Sequence, residues 1–357
     1  ASASVDLVYL DPPFNSQAKY NVLFEERDGT APAAQITAFE DFWRWDMEAE
    51  RTYRELMTTG PGKLADLLAA LRGFLGQNDM MAYLTMMAVR LVELHRVLKP
   101  EGSIYLHCDP TASHYLKTLM DAVFGGRNFV NEIIWHYRKW PTGKYSFQRN
   151  HDVILFYART ATRNRTFNQL YMDRAASTLK RFGTAKIMSG HTEEGRRVPS
   201  EMAEEESLGV RRDDVWDIGR VPPIKQLFPT QKPDELLDRI IEASSNEGDV
   251  VLDPFCGCGT TICSAERLHR RWQGIDITHL AIALIKNRLQ DTFRQELSPY
   301  RVIGEPRDLT SAAFLATQNR HQFQYWALSL VGARPAAEAR KRGADRGIDG
   351  VIRFFDD

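Results

Sequence analysis

The chain has 357 residues, 43% of them hydrophobic and 26% charged, which is the composition of a folded globular protein and not of a disordered, collagen-like or membrane-embedded one. Its 46 Lys and Arg nearly cancel its 47 Asp and Glu, so a polyanionic partner would have to be met by charge concentrated locally. No run approaches the roughly 18 to 20 apolar residues of a membrane span, and the N-terminus has no basic-then-apolar signal pattern. Of the four cysteines, Cys256, Cys258 and Cys263 fall within eight positions. That is no disulfide framework for a protein of this size, and a reducing, cytoplasmic setting is expected.

In chain order, Val5-Asp6-Leu7-Val8-Tyr9-Leu10 is a β-prone run stopped by Asp11-Pro12-Pro13-Phe14, because two prolines cannot continue a ladder. Residues 15–60 are polar and aromatic with weak periodicity and read as a long insertion; Trp43 and Trp45 are expected to be lid or core aromatics. Helical spacing of apolar residues then predicts two amphipathic helices, at 63–75 and 78–98. Lys99-Pro100-Glu101-Gly102 breaks the second, and Ser103 to Cys108 reads as a buried strand. A helix at 113–124 and strands at 131–137 and 152–158 follow, the strands being separated by a basic loop.

Residues 160–220 lose the regular pattern and are expected to form a small inserted domain ending in Asp214-Val215-Trp216-Asp217-Ile218. A second α/β round is predicted beyond it: helix 232–245, strand 249–253, helix 260–269, strand 272–276 and helix 278–289. The fold class is therefore α/β, with a doubly wound sheet.

Asp253-Pro254-Phe255-Cys256-Gly257-Cys258-Gly259-Thr260 puts an acid at a strand end, then a glycine-rich turn and the first residues of a helix. This is the geometry of a ligand site at the carboxyl edge of a doubly wound sheet. Asp276, 23 residues after Asp253, ends the next strand, where an acid commonly accepts hydrogen bonds from a ribose diol. The pair points to a nucleoside cofactor. Cys256-x-Cys258-x4-Cys263 lacks the second ligand pair of a zinc site, so no metal is expected. His107-Cys108-Asp109 looks like a catalytic trio on paper. Neighbours in a strand point to opposite faces, so the expectation is a strand end beside the site.

Together, Asp11-Pro12-Pro13-Phe14 and Phe255-Cys256-Gly257-Cys258-Gly259 resemble the two signature motifs of the S-adenosylmethionine-dependent DNA amino-methyltransferases. The tetrapeptide comes first and the glycine turn 244 residues later, which is the circularly permuted order of the β class. Phe228-Pro229-Thr230-Gln231-Lys232-Pro233, Leu98-Lys99-Pro100-Glu101-Gly102 and Asn131-Glu132-Ile133-Ile134-Trp135 also sit where that family has similar segments. The likeness covers roughly residues 5–290. It implies a Rossmann-like methyltransferase sheet in permuted order: a catalytic half at 1–158, a target-recognition region at 159–225, a cofactor half at 226–295 and an extension at 296–357.

By this resemblance Asp11, Pro12, Pro13 and Phe14 hold the target base. Asp253, Pro254, Phe255, Gly257, Gly259, Thr260 and Asp276 bind the cofactor, with Thr230 and Lys232 at its methionine end. Asp11 and the Pro12 carbonyl can each accept an amine hydrogen, making the nitrogen lone pair available for attack, while Phe14 stacks on an extruded base. Adenine N6 is favoured because the tetrapeptide begins with Asp; cytosine N4, or an RNA substrate, is the near alternative.

Between Trp135 and Ser200 there are 13 Lys and Arg against 4 Asp and Glu, an electrostatic footprint for double-stranded DNA. Arg138, Lys139, Lys144, Arg149, Arg163, Arg165, Lys180 and Arg181 are the candidate contacts. The tail from Phe323 through Asp349 resembles the beginning of an Mrr-type restriction nuclease, but the chain stops before a D/E-x-K segment, so nuclease activity is not expected. The family's upstream G-D segment is also missing, so a fragment with weakened cofactor affinity is expected. A homodimer, a restriction-modification partner, a fused nuclease and a catalytically idle DNA-binding module remain open on sequence grounds.

Overall fold

The computed structural model describes residues 1–13, 19–21, 37–40, 44–140, 145–161, 164–188, 190–196, 201–222, 224, 226, 231–335 and 350–352. Its centre is a seven-stranded sheet formed by β1 (Val5–Leu10), β2 (Leu98–Cys108), β3 (Phe129–His136), β4 (His151–Ala158), β5 (Val215–Asp217), β6 (Val250–Asp253) and β7 (Arg271–Gly274). In space the order is β5-β3-β4-β2-β1-β6-β7. β1 lies parallel between β2 and β6, β7 extends the parallel run, and β4 alone runs antiparallel to both its neighbours. The chain thus enters the sheet near its middle.

The burial pattern of β1 explains why. Val5, Leu7, Val8, Tyr9 and Leu10 are all buried, so the strand needs cover on both faces and can only be internal. Val8 and Leu10, with Ile104, Leu106, Leu155 and Tyr157, pack against helices α1 (Met47–Thr59), α2 (Gly62–Leu75), α3 (Asp79–Val97) and α4 (Ser113–Met120). Leu7 and Tyr9, with Tyr105, Ile133, Trp135, Ile154, Phe156 and Val251, make the opposite core. A short helix of the insert, α5 (Ala176–Phe182), precedes α6 (Asp234–Ser244), which closes that second face through Leu236, Leu237, Ile240 and Ile241. α7 (Thr260–Arg267) and α8 (His279–Phe293) enclose a third cluster of Cys256, Ile262, Cys263, Ile285 and Leu289.

Two expectations need correction. Residues 47–59 are not part of an irregular insertion: Asp46 caps α1 by accepting from the amides of Glu48 and Ala49, and Tyr53 and Leu56 bury its inner face. Trp45 packs edge-on to Tyr53, with the Arg72 guanidinium over both rings, so it is a packing aromatic; Trp43 lies outside the described residues. Second, Val215–Asp217 does not belong to a separate insert but adds an edge strand, parallel to β3, to the central sheet. The rest of the insert contains α5 and two small ladders, Tyr171–Met172 with Val210–Arg211 and Ala185–Met188 with Glu201–Glu206. Beyond α8, helices α9 (Leu309–Gln318) and α10 (Arg320–Leu330) follow, and the Gln322 side chain accepts from the His279 amide at the start of α8.

Asp6 ties the three middle strands together. Its carboxylate takes Lys99 Nζ at 2.8 and 2.9 Å and the Val250 amide at 2.9 Å, linking β1 to β2 and β6. Asp6→Ala leaves the Val250 N–H in a buried position without its acceptor. It should lower unfolding stability by about 1–3 kcal/mol, seen as a lower denaturant midpoint at an unchanged m-value.

Candidate active site

At the carboxyl end of the parallel strands, three segments converge: the residues after β1, the end of β2 and, because β4 runs the other way, its beginning. Pro12 is buried and Pro13 half-buried, which fixes the backbone directly after Asp11. Phe14 and Thr230 lie outside the described residues. Lys232, just before α6, places its ammonium on Asp11 Oδ2, and the two side chains are only 11% and 17% exposed. A residue expected at the cofactor is therefore ion-paired to the catalytic candidate.

The other Asp11 oxygen, Oδ1, stands 3.7 Å from Nδ1 of His107, which is fully buried. That nitrogen is 3.0 Å from the Tyr9 hydroxyl, and His107 Nε2 is 3.3 Å from Asp152 Oδ2. Tyr137 donates to the second Asp152 oxygen at 3.1 Å. Burial alone would raise Asp152, but the His107 hydrogen bond, the charge of Lys232 and the Tyr137 hydrogen bond hold it below the ordinary carboxylate value. Burial, reinforced by the charges of Asp11, Asp253 and Asp152, pushes Tyr9 well above the usual phenol range, so its hydroxyl keeps its proton.

The glycine turn lies one strand further along the same edge. Asp253 Oδ1 accepts from the Phe255 amide at 3.0 Å, and Asp276 Oδ2 accepts from the Gly257 amide at 3.0 Å. Asp276 Oδ1 takes the amide and hydroxyl of Thr278, both at 2.9 Å. Gly257 has φ +48°, and a Cβ built there would meet nothing within 4 Å among the described residues. At Gly259 (φ +76°) a Cβ would meet Ile285 Cγ1 at 2.7 Å, so this glycine lets α8 close on the turn before Thr260 begins α7. Burial is the main cause that raises both acids, Asp253 to about 7. Pro254 and Phe255 are half-buried beside them, and Phe255 packs on the core below α3. Burial also pushes up the thiols of Cys256, Cys258 and Cys263; Cys256 and Cys263 fill the cluster under α8 as packing groups, and Cys258 is buried in the turn itself.

A family model described as DNA methylase, of the N6 and N4 type, matches residues 5–287. The chain belongs to the N6/N4 DNA methylase family. Among relatives of this methylase, the Type II methyltransferase M.HpaI of Haemophilus parainfluenzae is 32% identical over 206 residues, 57% of this chain and 58% of that protein. The DNA adenine methyltransferase YhdJ of Escherichia coli (strain K12) is 31% identical over 203 residues, 56% of this chain and 64% of its own. The chain thus spans less than two thirds of the length of either relative. A solved putative DNA modification methylase of Thermus thermophilus, complexed with S-adenosyl-L-methionine, aligns with a TM-score of 0.43 at 18% identity, covering 86% of this chain and 93% of that one.

The candidate basic residues of the chain fall on different elements. Arg138, Lys139 and Arg149 are exposed in the loop between β3 and β4, which emerges from the edge that carries Asp11. Lys180 and Arg181 are exposed in the last turn of α5. Arg165 departs from the expected surface position: it is half-buried, its Nε is shielded from solvent, and its guanidinium lies 5.9 Å from the Phe167 ring. Lys144 and Arg163 lie outside the described residues.

Sequence reasoning did not give His107, Asp152, Tyr137 or Tyr9 a part in the site. A period-2 signal existed, since Tyr9 and Asp11, like Tyr105 and His107, share a face. The order of the strands is what brings them together. The Lys232 contact predicts its own test: Lys232→Met should lower the methylation rate about 10- to 100-fold while changing the dissociation constant of S-adenosylmethionine less than threefold, roughly. Equilibrium cofactor binding measured beside single-turnover rates separates the two effects.

Proposed function

We propose that this chain transfers a methyl group from S-adenosylmethionine to the exocyclic N6 amine of an adenine extruded from double-stranded DNA. One observation carries the reading: a proline-fixed Asp11, ion-paired to Lys232, stands one strand away from a glycine turn whose backbone is flanked by the buried Asp253 and the half-buried Asp276. The cradle fits the cofactor in shape, since a Cβ built at Gly257 would meet nothing within 4 Å among the described residues. It also fits in charge, because two acids raised by burial favour a cationic ligand. Asp253, Gly257, Thr260 and Asp276 would hold it. When bound, the cofactor supplies an electrophilic methyl group.

The protein's own part is positioning. Lys232 occupies Oδ2 of Asp11, which leaves Oδ1 to accept one amine hydrogen, and the carbonyl of buried Pro12 can accept the other. Phe14 is assigned to stacking on the base. Duplex binding is assigned to the β3–β4 loop, where Arg138, Lys139 and Arg149 alternate with the exposed aromatics Trp140, Tyr145 and Phe147. Cations that meet phosphates and rings that stack on bases are the two components of nucleic-acid contact. Adenine is preferred over cytosine because Asp opens the tetrapeptide, and the relative named a DNA adenine methyltransferase supports that choice. A place in a restriction-modification pair follows from the Type II relatives. The Mrr-like reading of the tail stays a sequence resemblance: Asp349 lies outside the described residues, and of that stretch the structure describes the end of α10 and the residues after it to 335.

Labelled S-adenosylmethionine incubated with unmodified genomic DNA should yield N6-methyladenine in nucleoside mass spectrometry. N4-methylcytosine would replace the adenine assignment, and no product beside measurable DNA binding would remove the enzymatic one. Asp11→Ala should abolish turnover and leave cofactor binding near wild type; loss of binding instead would overturn the division of labour between the two motifs.

Asp253 gives a pH dependence. Burial puts its carboxyl at about 7 in the free protein, and a cationic ligand favours the ionised form, so binding releases a proton. Affinity for S-adenosylmethionine should weaken as pH falls through 7, by up to about tenfold per unit. Asp253→Asn should flatten the slope, and calorimetry in two buffers of different ionisation enthalpy should count the proton.

A further inference from the structure

Methyl transfer to an exocyclic amine leaves that nitrogen positively charged and carrying one proton too many, and the fold places a second proton acceptor directly behind the first. We propose that His107 takes the amine proton from Asp11, acting as a buried relay between Asp11 and Asp152. The inference rests on the methylase reading above.

Asp152, held ionised by its surroundings, faces Nε2 of His107 at 3.3 Å and so selects the tautomer with hydrogen on that nitrogen. Nδ1 is left as the acceptor, and the Tyr9 hydroxyl, which keeps its proton, donates to it at 3.0 Å. Asp11 Oδ1 lies 3.7 Å from the same nitrogen, while Oδ2 is held by Lys232. In the transfer, the N–H bond of the methylated amine breaks and its proton passes to Asp11 Oδ1. Once the Tyr9 hydroxyl hydrogen has turned off Nδ1 and the Asp11 side chain has closed the 3.7 Å gap to hydrogen-bond distance, the proton moves to Nδ1, because an imidazole is intrinsically a stronger base than a carboxylate. The Tyr9 hydroxyl turns to accept from Nδ1–H, and Nε2–H stays on Asp152. The positive charge lost by the amine appears on an imidazolium set between two carboxylates, and water removes the proton after product leaves.

The groups facing this imidazole are Tyr9 and Asp11 from β1, Asp152 from β4, Tyr137 at the end of β3 through Asp152, and Lys232 before α6 through Asp11. The Trp135 ring meets it edge-on at 5.5 Å and helps keep it dry. His107 acts through Asp11 and is a positioning residue in this scheme. Packing alone does not account for an ionisable side chain at this depth, for a Leu or Phe would fill a strand core with less desolvation.

The test is single-turnover methylation of DNA with labelled S-adenosylmethionine, kept saturating at every pH between about 5.5 and 9, for wild type, His107→Asn, His107→Gln and Asp152→Asn. Thermal melting and equilibrium cofactor binding serve as checks on folding. Wild type should slow on the acid side of that range. His107→Asn and His107→Gln should lose about 10- to 100-fold in rate, bind cofactor normally and lose that acid limb. Asp152→Asn should displace the limb while folding intact, which keeps the proposal testable if the His107 variants unfold. A His107 variant within twofold of wild type, or slow variants that keep the wild-type profile, would overturn the relay. No product from wild type would overturn the methylase reading with it.

Discussion

The ion pair between Asp11 and Lys232 joins positions 221 residues apart, and the rest of the site is arranged around it. A nearly buried ion pair contributes little stability once desolvation is counted, so its role here lies in specifying geometry. It fastens the residues after the central strand β1 to the residues before α6, the helix that covers that strand's second face. Asp11 then presents one oxygen in a fixed direction. His107 and Asp152 stand behind that oxygen, and the glycine turn lies across β6 from it. Asp6 performs the matching task at the opposite end of β1, where it clamps the same three strands.

Much of this was legible in the sequence, in proportion to how local the signal is. The run Val5–Leu10, the stop at Asp11-Pro12-Pro13 and the strand-turn-helix at Val250–Arg267 each announce themselves within a few residues. α1 does not, because only Tyr53 and Leu56 of its thirteen residues are buried, so its apolar stripe is two positions long. Val215–Asp217 does not either: a three-residue edge strand that buries only Trp216 has no periodicity to detect. The site shows the same limit more sharply. Asp11 and the glycine turn carry motifs, whereas the partnership of His107 with Asp152 depends on β4 pairing antiparallel with β2, where His107 stands opposite Ile154. Nothing in the local sequence specifies that pairing.

Charge shows why totals mislead. The 13 Lys and Arg against 4 acids between Trp135 and Ser200 are followed, from Glu201 to Arg220, by seven acids against three arginines. In the fold the first part of the acidic stretch, Glu201–Glu206, forms one strand of a ladder, and Glu205 there pairs with Lys186 of the opposite strand. Part of the basic excess is thus neutralised inside the insert. The cations of the β3–β4 loop have no such strand beside them in sequence, and the loop springs from Tyr137 and Asp152, one hydrogen bond from His107. The proposed DNA contacts and the proposed proton relay therefore share a root.

Four carboxylates gather along this sheet edge, and their surroundings drive them apart. Asp152, hydrogen-bonded to His107 and Tyr137, is held down; Asp253 and Asp276 are pushed up by burial, even though backbone amides donate to both. Carboxylates in one site with opposite shifts have different tasks. The lowered one can orient a base, while the raised ones are poised to gain from a positive ligand. In that arrangement the protein places Lys232 on Asp11, while Arg288 reaches the glycine turn from α8, donating to Thr260 Oγ1 at 3.0 Å and to Asp234 at 2.7 Å. A cofactor that carries its own positive charge completes the first pair of acids, and a proton released from the amine is met at the second.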